Sequence, residues 1–194
     1  GQGAYGPESD KGGYDGASFW ARGGVAGLFP GDAEGWPQGQ PAPAFGDVMG
    51  GLAVAGAIAA ALAKRERTGE PSVVDVSLLA TAMWQASPLV VAAKLFGLGS
   101  FPPRDRTKAA NPGVNAYRTS DGRYITLILL QPDKFWADLA ERLERPELAT
   151  DPRFADAVSR AEHCTECIAI LDEAFGSQPL AHWREALDEF TGVW

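Results

Sequence analysis

Apolar and polar positions give the chain three textures. Residues 1–46 show no sustained period, and turn formers interrupt them throughout: Gly6-Pro7, Gly12-Gly13, Pro30-Gly31, Pro37, Pro41 and Pro43. That pattern predicts loop, with one short helix or strand around Ala17–Leu28. A loop-rich stretch of this length in a compact protein is usually a binding surface. From Met49 the chain fills every face with Gly, Ala, Val, Ile and Leu, then turns charged at Lys64-Arg65-Glu66-Arg67 before Gly69. This predicts a helix over Met49–Thr68, capped by Asp47 and stopped by Gly69. Small residues on all faces imply burial against close neighbours.

The third texture alternates. Val73–Val76 is a short β-branched run that predicts a strand. Ser77 is placed to cap a second helix over Leu78–Phe96, kinked or broken at Pro88. Residues 97–112 read as loop. Tyr117–Ser120 and Arg123–Leu130 flank Asp121-Gly122, a strong hairpin signal. Phe135, Trp136, Leu139 and Leu143 then form a helical stripe over Pro132–Arg145. One or two further helices follow over Arg153–Phe175, and a last over Leu180–Phe190. The C-terminal part is expected to be an α+β lobe.

Composition narrows the class. The chain has 194 residues, 45% hydrophobic and 22% charged, with a formal net charge of −8. That balance belongs to an ordered globular protein, and an acidic surface repels phosphate backbones, so a nucleic-acid partner is not expected. Two cysteines, Cys164 and Cys167, cannot build a disulfide framework, which fits a reducing, cytoplasmic setting. No membrane span is expected, because the longest apolar run, Leu52–Leu62, is half the roughly 20 residues a spanning helix needs. The first residue is a glycine with no basic leader before an apolar core. The chain therefore reads as an internal segment of something longer.

Gly1-Gln2-Gly3-Ala4-Tyr5-Gly6 fits the dinucleotide pattern G-x-G-x-x-G, but turn chemistry follows it and no helix starts through it, so a turn is expected. His163-Cys164-Thr165-Glu166-Cys167 supplies too few ligands for a structural zinc, and no metal site is expected. Arg104, Arg106 and Lys108 are an anion site or, more often for such clusters, a solvated loop face. Asp15 in Gly12-Gly13-Tyr14-Asp15-Gly16 is either a turn-forming Asp or a loop nucleophile, acid or base. From the residues alone two classes stay open: an enzyme that uses a loop carboxylate, or an acidic α/β interaction module.

The run Gly46-Asp47-Val48-Met49-Gly50-Gly51, the helix end Arg65-Glu66-Arg67-Thr68-Gly69 and the segment Val74-Asp75-Val76-Ser77-Leu78-Leu79 resemble the class III CoA-transferases, the CaiB/BaiF family. That family includes formyl-CoA transferase, carnitine and bile-acid CoA-transferases and α-methylacyl-CoA racemase. Tyr117-Arg118-Thr119-Ser120-Asp121-Gly122, Pro146-Glu147-Leu148, Asp151-Pro152-Arg153-Phe154 and Gly192-Val193-Trp194 extend the resemblance over essentially the whole chain. It implies an α/β fold in three parts. Residues 1–72 would be the tail of a large Rossmann-like domain, with the catalytic loop and a linker helix. Residues 73–110 would connect, and residues 111–194 would form the small α+β domain.

The resemblance also implies chemistry. The family's G-[YFH]-D motif falls on Tyr14-Asp15, making Asp15 the catalytic nucleophile, with Gly12, Gly13, Tyr14 and Gly16 shaping the loop around CoA. Asn111 and Gly113 stand where some transferases carry a mobile glycine run, and would lie near the acyl end of CoA. No permanent cofactor is implied. The substrates would be an acyl-CoA and a carboxylate acceptor, and the partner a second subunit of an interlocked homodimer. Transfer through an aspartyl anhydride and thioester is the preferred activity. The alternative is an acyl-CoA racemase using the same Asp, although racemases usually carry His where this chain has Tyr14. A second alternative is an inactive interaction module. The segment alone is expected to be inactive.

Overall fold

A computed structural model describes residues 1–29, 31, 34–99 and 105–194. The chain divides into two compact units, Gly1–Pro103 and Arg104–Trp194.

The first unit opens with turns. Gly3 and Gly6 adopt positive φ, and the Gly6 carbonyl accepts from Ser9 N at 3.2 Å, so the glycine-rich start is a turn as expected. The expected short element appears as a π-helical segment, Gly16–Arg22, followed by a 3-10 turn, Val25–Leu28. Two long helices complete the unit, α1 (Phe45–Thr68) and α2 (Leu78–Phe96). Helix α1 starts earlier than predicted. Its N-cap is Ala44 at φ 58°, not Asp47, which lies in the first turn as an acidic residue. Gly69 stops α1 in the left-handed conformation, donating its N–H to Arg65 O. Ser77 caps α2 as expected, its Oγ accepting from Ala80 N at 3.0 Å. Helix α2 runs on through Pro88 rather than breaking there. Val73–Val76 is not a strand: no described strand pairs with it, and Val73 stands exposed.

The core of this unit is small. Phe19, Trp20, Val25 and Ala82 are buried together, with Phe45, Met49 and Leu78 packed on them. Most apolar side chains of α1 and α2 remain exposed, Leu52 at 77% and Trp84 at 81% among them. A groove of about 520 Å³ between the two helices is lined by Val48, Met49, Leu52, Ala53, Thr81, Trp84 and Gln85. The expectation that no segment is long and apolar enough to span a membrane is corrected: α1 and α2 both are, by length and composition. Counting uninterrupted apolar runs missed this, because single polar or charged residues such as Gln85 and Lys94 end a run without making the whole helix polar.

The second unit is built on the expected hairpin. Strands β1 (Val114–Arg118) and β2 (Tyr124–Ile128) pair antiparallel, with Val114 opposite Ile128 and Arg118 opposite Tyr124. Period-two alternation buries Asn115 and Tyr117 on one strand and Ile125 and Leu127 on the other. The Asp121-Gly122 turn closes with Gly122 at φ 77° and Thr119 Oγ1 donating to Asp121 Oδ1 at 2.5 Å. Helices α3 (Pro132–Arg142), α4 (Ala157–Glu162), α5 (Cys164–Gly176) and α6 (Leu180–Ala186) cover the buried face. Tyr117 stacks on Phe175 at 5.1 Å, and Phe175 meets Trp183 edge-on at 5.2 Å. Two aromatic side-chain donors that enter this core reach backbone carbonyls. Trp136 Nε1 donates to Leu148 O at 2.9 Å, and Tyr117 Oη donates to Pro112 O at 2.7 Å. Arg160, 1% exposed, lies 4.5 Å from the Trp136 ring and donates to Phe154 O while pairing with Asp133.

Candidate active site around Asp15

Asp15 immediately precedes the π-helical segment but does not cap it. Single π turns are rare and recur at functional sites. This one is pinned from two sides. Gly23 N–H donates to Ser18 O at 3.0 Å, five residues back, and a side chain at Gly23 would overlap the Cβ of Ala82 on α2. Trp20 Nε1 donates to Gln38 O at 2.8 Å, and its ring stacks on Phe29 at 5.2 Å. Phe45, the first residue of α1, meets both Phe19 and Trp20 edge-on.

The carboxylate is thereby directed at a distant helix. Asp15 is 7% exposed, and its Oδ2 accepts from Gly46 N at 2.9 Å, in the first turn of α1 and 31 residues away in sequence. Helix N-termini leave backbone N–H groups unsatisfied and favour an anion there, by about 0.3–1 kcal/mol for exposed groups and up to about 2 kcal/mol when partly buried. Gly46 has to be glycine, since a Cβ would overlap the Phe19 ring and Asp15 Oδ1. Asp15 Oδ1 is buried and has no hydrogen-bond partner. A buried carboxylate oxygen without a partner is costly in a resting protein and is a candidate reacting atom.

Polar neighbours complete the loop. Gln2 Nε2 donates to Ser18 Oγ at 3.1 Å, and a Cβ at Gly13 would overlap that hydroxyl and lie 2.7 Å from Gly1 Cα. Gln2 Oε1 and Gln40 Nε2 are also buried and unpartnered, and Gln40 Oε1 stands 3.2 Å from where a Gly16 side chain would begin. Gln2 further lines an open cleft of about 530 Å³ with Tyr5, Pro7, Glu8, Lys11, Arg22 and Leu79. The two cations there both engage Glu8, and the Lys11 ammonium holds the Glu8 carboxyl below the usual carboxylate range.

The sequence-predicted residues fall into two groups. Gly12, Gly13, Tyr14, Asp15 and Gly16 share one loop. Gly12 faces open space and Tyr14 is 86% exposed, with its carbonyl accepting from Ser18 N at 2.7 Å. Asn111 and Gly113 belong to the second unit, where they shape the entry to the hairpin. Asn111 Oδ1 accepts from Gly113 N at 2.9 Å and its Nδ2 donates to Leu129 O at 3.0 Å. Gly46, Ser18, Gln2 and Gln40 were not among the predicted site residues. The one available signal was a Gly-Asp pair heading a long helix, and nothing in spacing ties it to Asp15.

Other candidates have structural partners. Arg104 lies outside the described residues. Arg106 remains partly exposed but is paired: it makes a bidentate contact with Asp172 at 3.0 and 2.6 Å and lies over the Tyr117 ring. Lys108 pairs with Asp105 at 3.5 Å. Cys167 is buried in the second core, which pushes its thiol up to about 12, while Cys164 is half-buried.

Residues 1–193 match CoA-transferase family III, and the chain belongs to that family. It is 32% identical over 189 residues to (R)-2-hydroxy-4-methylpentanoate CoA-transferase of Clostridioides difficile, covering 97% of this chain and 46% of the relative. Succinyl-CoA–D-citramalate CoA-transferase of Chloroflexus aurantiacus is 32% identical over 96% of this chain and 44% of its own length. A solved CAIB/BAIF family protein from Brucella suis superposes with a TM-score of 0.74 at 26% identity, over all of this chain and 50% of that one. The chain thus spans about half the length of the relatives it matches. The helix-rich structure with one two-stranded sheet is a portion of the CaiB/BaiF CoA-transferase fold, as the resemblance implied.

Proposed function

We propose that the protein carrying these residues transfers CoA from an acyl-CoA to a carboxylic acid, with Asp15 as the covalent nucleophile. One observation carries the reading. Asp15 is a buried carboxylate with one oxygen held by Gly46 N–H and the other unpartnered, in a chain of CoA-transferase family III. A held but half-free carboxylate suits a nucleophile better than a turn-forming Asp, whose oxygens would bond the local backbone.

An Asp15 oxygen attacks the thioester carbonyl, the C–S bond breaks, and CoA leaves as thiolate from a mixed anhydride. The thiolate attacks the Asp15 carbonyl carbon, releasing the donor acid with one former Asp15 oxygen and leaving an aspartyl-CoA thioester. The acceptor carboxylate attacks that thioester and displaces CoA thiolate. The thiolate then attacks the acceptor's acyl carbon, giving the new acyl-CoA and regenerating Asp15. Covalent catalysis divides one difficult exchange into four easier substitutions. No permanent cofactor is required; acyl-CoA is the substrate.

The exposed apolar faces of α1 and α2 support the expected interlocked homodimer, with a second copy covering them. Protein rather than lipid is the cover we take, because the chain belongs to CoA-transferase family III and glycines such as Gly50, Gly51 and Gly56 let a neighbouring backbone approach α1 closely. Residues 1–194 on their own are expected to be inactive.

Peptide mass spectrometry of the full-length protein after brief exposure to acyl-CoA tests this. An acyl or CoA adduct on the Asp15 peptide, cleaved by hydroxylamine and absent in Asp15→Ala, is expected. Binding of acyl-CoA without any adduct, together with solvent deuterium entering the α-carbon, would instead establish the racemase.

A further inference from the structure

We propose that the head of α1 makes the two oxygens of Asp15 chemically distinct: Gly46 N–H holds Oδ2 throughout the reaction, and Oδ1 alone forms and breaks bonds. The inference rests on the covalent reading above and goes beyond it by assigning an atom to the attack and a positioning role to Gly46.

Three observations carry it. Oδ2 accepts from Gly46 N at 2.9 Å in a buried setting, whereas Oδ1 is buried without a partner. Gly46 belongs to the first turn of a 24-residue helix whose N-cap, Ala44, offers no side-chain hydrogen bond, so Asp15 supplies the capping carboxylate from outside the helix. The Phe19 ring and Asp15 itself fill the space beside Gly46, which leaves the carboxylate little room to turn over.

The arrangement has a consequence for each covalent state. In the anhydride and the thioester, Asp15 keeps one carbonyl oxygen. That oxygen is Oδ2, still facing the Gly46 N–H. When thiolate or acceptor adds to the Asp15 carbonyl carbon, negative charge develops on Oδ2, where a fixed backbone donor and the positive end of a helix already wait. The departing oxygen is always the one in the Oδ1 position. Each turnover therefore replaces the Oδ1 atom with an oxygen from the acceptor acid and leaves Oδ2 untouched.

The isotope content of Asp15 tests this directly. The full-length protein is cycled with acetyl-CoA, succinyl-CoA or 4-methylpentanoyl-CoA, each with an excess of its own acid labelled in both carboxylate oxygens with a heavy isotope. The Asp15 peptide is then weighed as cycling proceeds. The expected result is a plateau at one heavy oxygen per Asp15, however many turnovers follow. Progression to two heavy oxygens means that the oxygens exchange places or that either attacks, and overturns the inference while leaving covalent transfer standing. No heavy oxygen from any of the three acids overturns the covalent reading and the inference with it. In Gly46→Ala, where the added methyl displaces Asp15 from the helix end, whatever turnover survives is expected to proceed to two heavy oxygens. A purely structural glycine would lower activity without changing that count. If Gly46→Ala does not fold, the wild-type plateau still decides.

Discussion

The two units of this chain bury their apolar side chains very differently. In Arg104–Trp194 the hairpin and four helices enclose a continuous core that includes Tyr117, Leu127, Trp136, Phe154, Leu171 and Phe175. In Gly1–Pro103 the two longest described helices bury little beyond Gly46, Gly50, Ala82 and Ala86, and a cluster around Phe19 does the rest. Burying a large apolar side chain contributes about 1.5–3 kcal/mol. The second unit collects that gain many times within itself. The first leaves most of it uncollected among the described residues. The unit that holds the candidate nucleophile is therefore the one with the smaller core of its own.

The largest expected effect separates the units outright. Residues 104–194 expressed alone should fold cooperatively, with protected amides in α3 and α5, whereas residues 1–103 alone should aggregate or show non-cooperative melting. A sharp thermal transition in the isolated first unit would remove the contrast. The next effect lies within single side chains. Leu171→Ala, at a fully buried position, should lower the stability of the second unit by about 2–5 kcal/mol in denaturant titration. Leu52→Ala, at an exposed position, should change the stability of residues 1–194 by less than about 0.5 kcal/mol. In the full-length protein the same Leu52→Ala should cost far more, or weaken dimerisation. An equal effect in both settings would mean that nothing covers α1.

Smaller again is Tyr117→Phe. It keeps the stack on Phe175 but removes the donor to Pro112 O, leaving a buried carbonyl unpaired. About 1–3 kcal/mol is expected from urea unfolding. Burial pushes the Tyr117 phenol well above its ordinary value, so no phenolate absorbance should appear at this residue until the protein unfolds in alkali.

How much of this was legible follows the same division. The hairpin, its Asp121-Gly122 turn and the helical stripe through Trp136 and Leu139 were readable because the second unit answers its own local periodicity: what the pattern marks as buried is buried inside it. Helix α1 was readable as a helix, but its direction was not, since Gly, Ala, Val and Ile on every side mark no face. The Val73–Val76 run met β-propensity without a neighbour to pair with. At the candidate site, Asp15 was singled out by its loop and the family resemblance, and the structure buries its carboxylate against Gly46. Its bond to Gly46 was not legible, because a cap reaching across 31 residues leaves no spacing signature, and neither does a π turn. Asp47 illustrates the cost: the cap rule made it the N-cap of α1, but it lies inside the first turn, and the carboxylate that accepts from a first-turn N–H there is Asp15's.

The smallest effect concerns acid. In the second unit the carboxyls of Asp105, Asp121, Glu147, Asp151 and Asp156 are all held below their ordinary range, and in the first unit Glu8 is. The causes are local: the Thr119 hydroxyl for Asp121, the Arg153 side chain for Asp151, the Ser159 N–H for Asp156. A carboxyl whose folded value lies below its unfolded one contributes stability that is fully present above the unfolded value, about 4, and is lost as pH falls through the folded value. Isolated residues 104–194 should therefore keep a constant urea midpoint from neutral pH down to about pH 5 and lose stability progressively below about pH 4. Asp105, Asp121, Glu147 and Asp156 are exposed and Asp151 and Glu8 half-buried, so each share is small and salt screens the ion-paired ones. Asp121→Asn should flatten the acid limb slightly while leaving the neutral midpoint close to wild type, because an amide oxygen can still accept from Thr119. An acid limb unchanged in Asp121→Asn would show that the turn carboxylate contributes nothing measurable to this unit, and that its acid sensitivity comes from the other lowered carboxyls, Asp151 with Arg153 first among them.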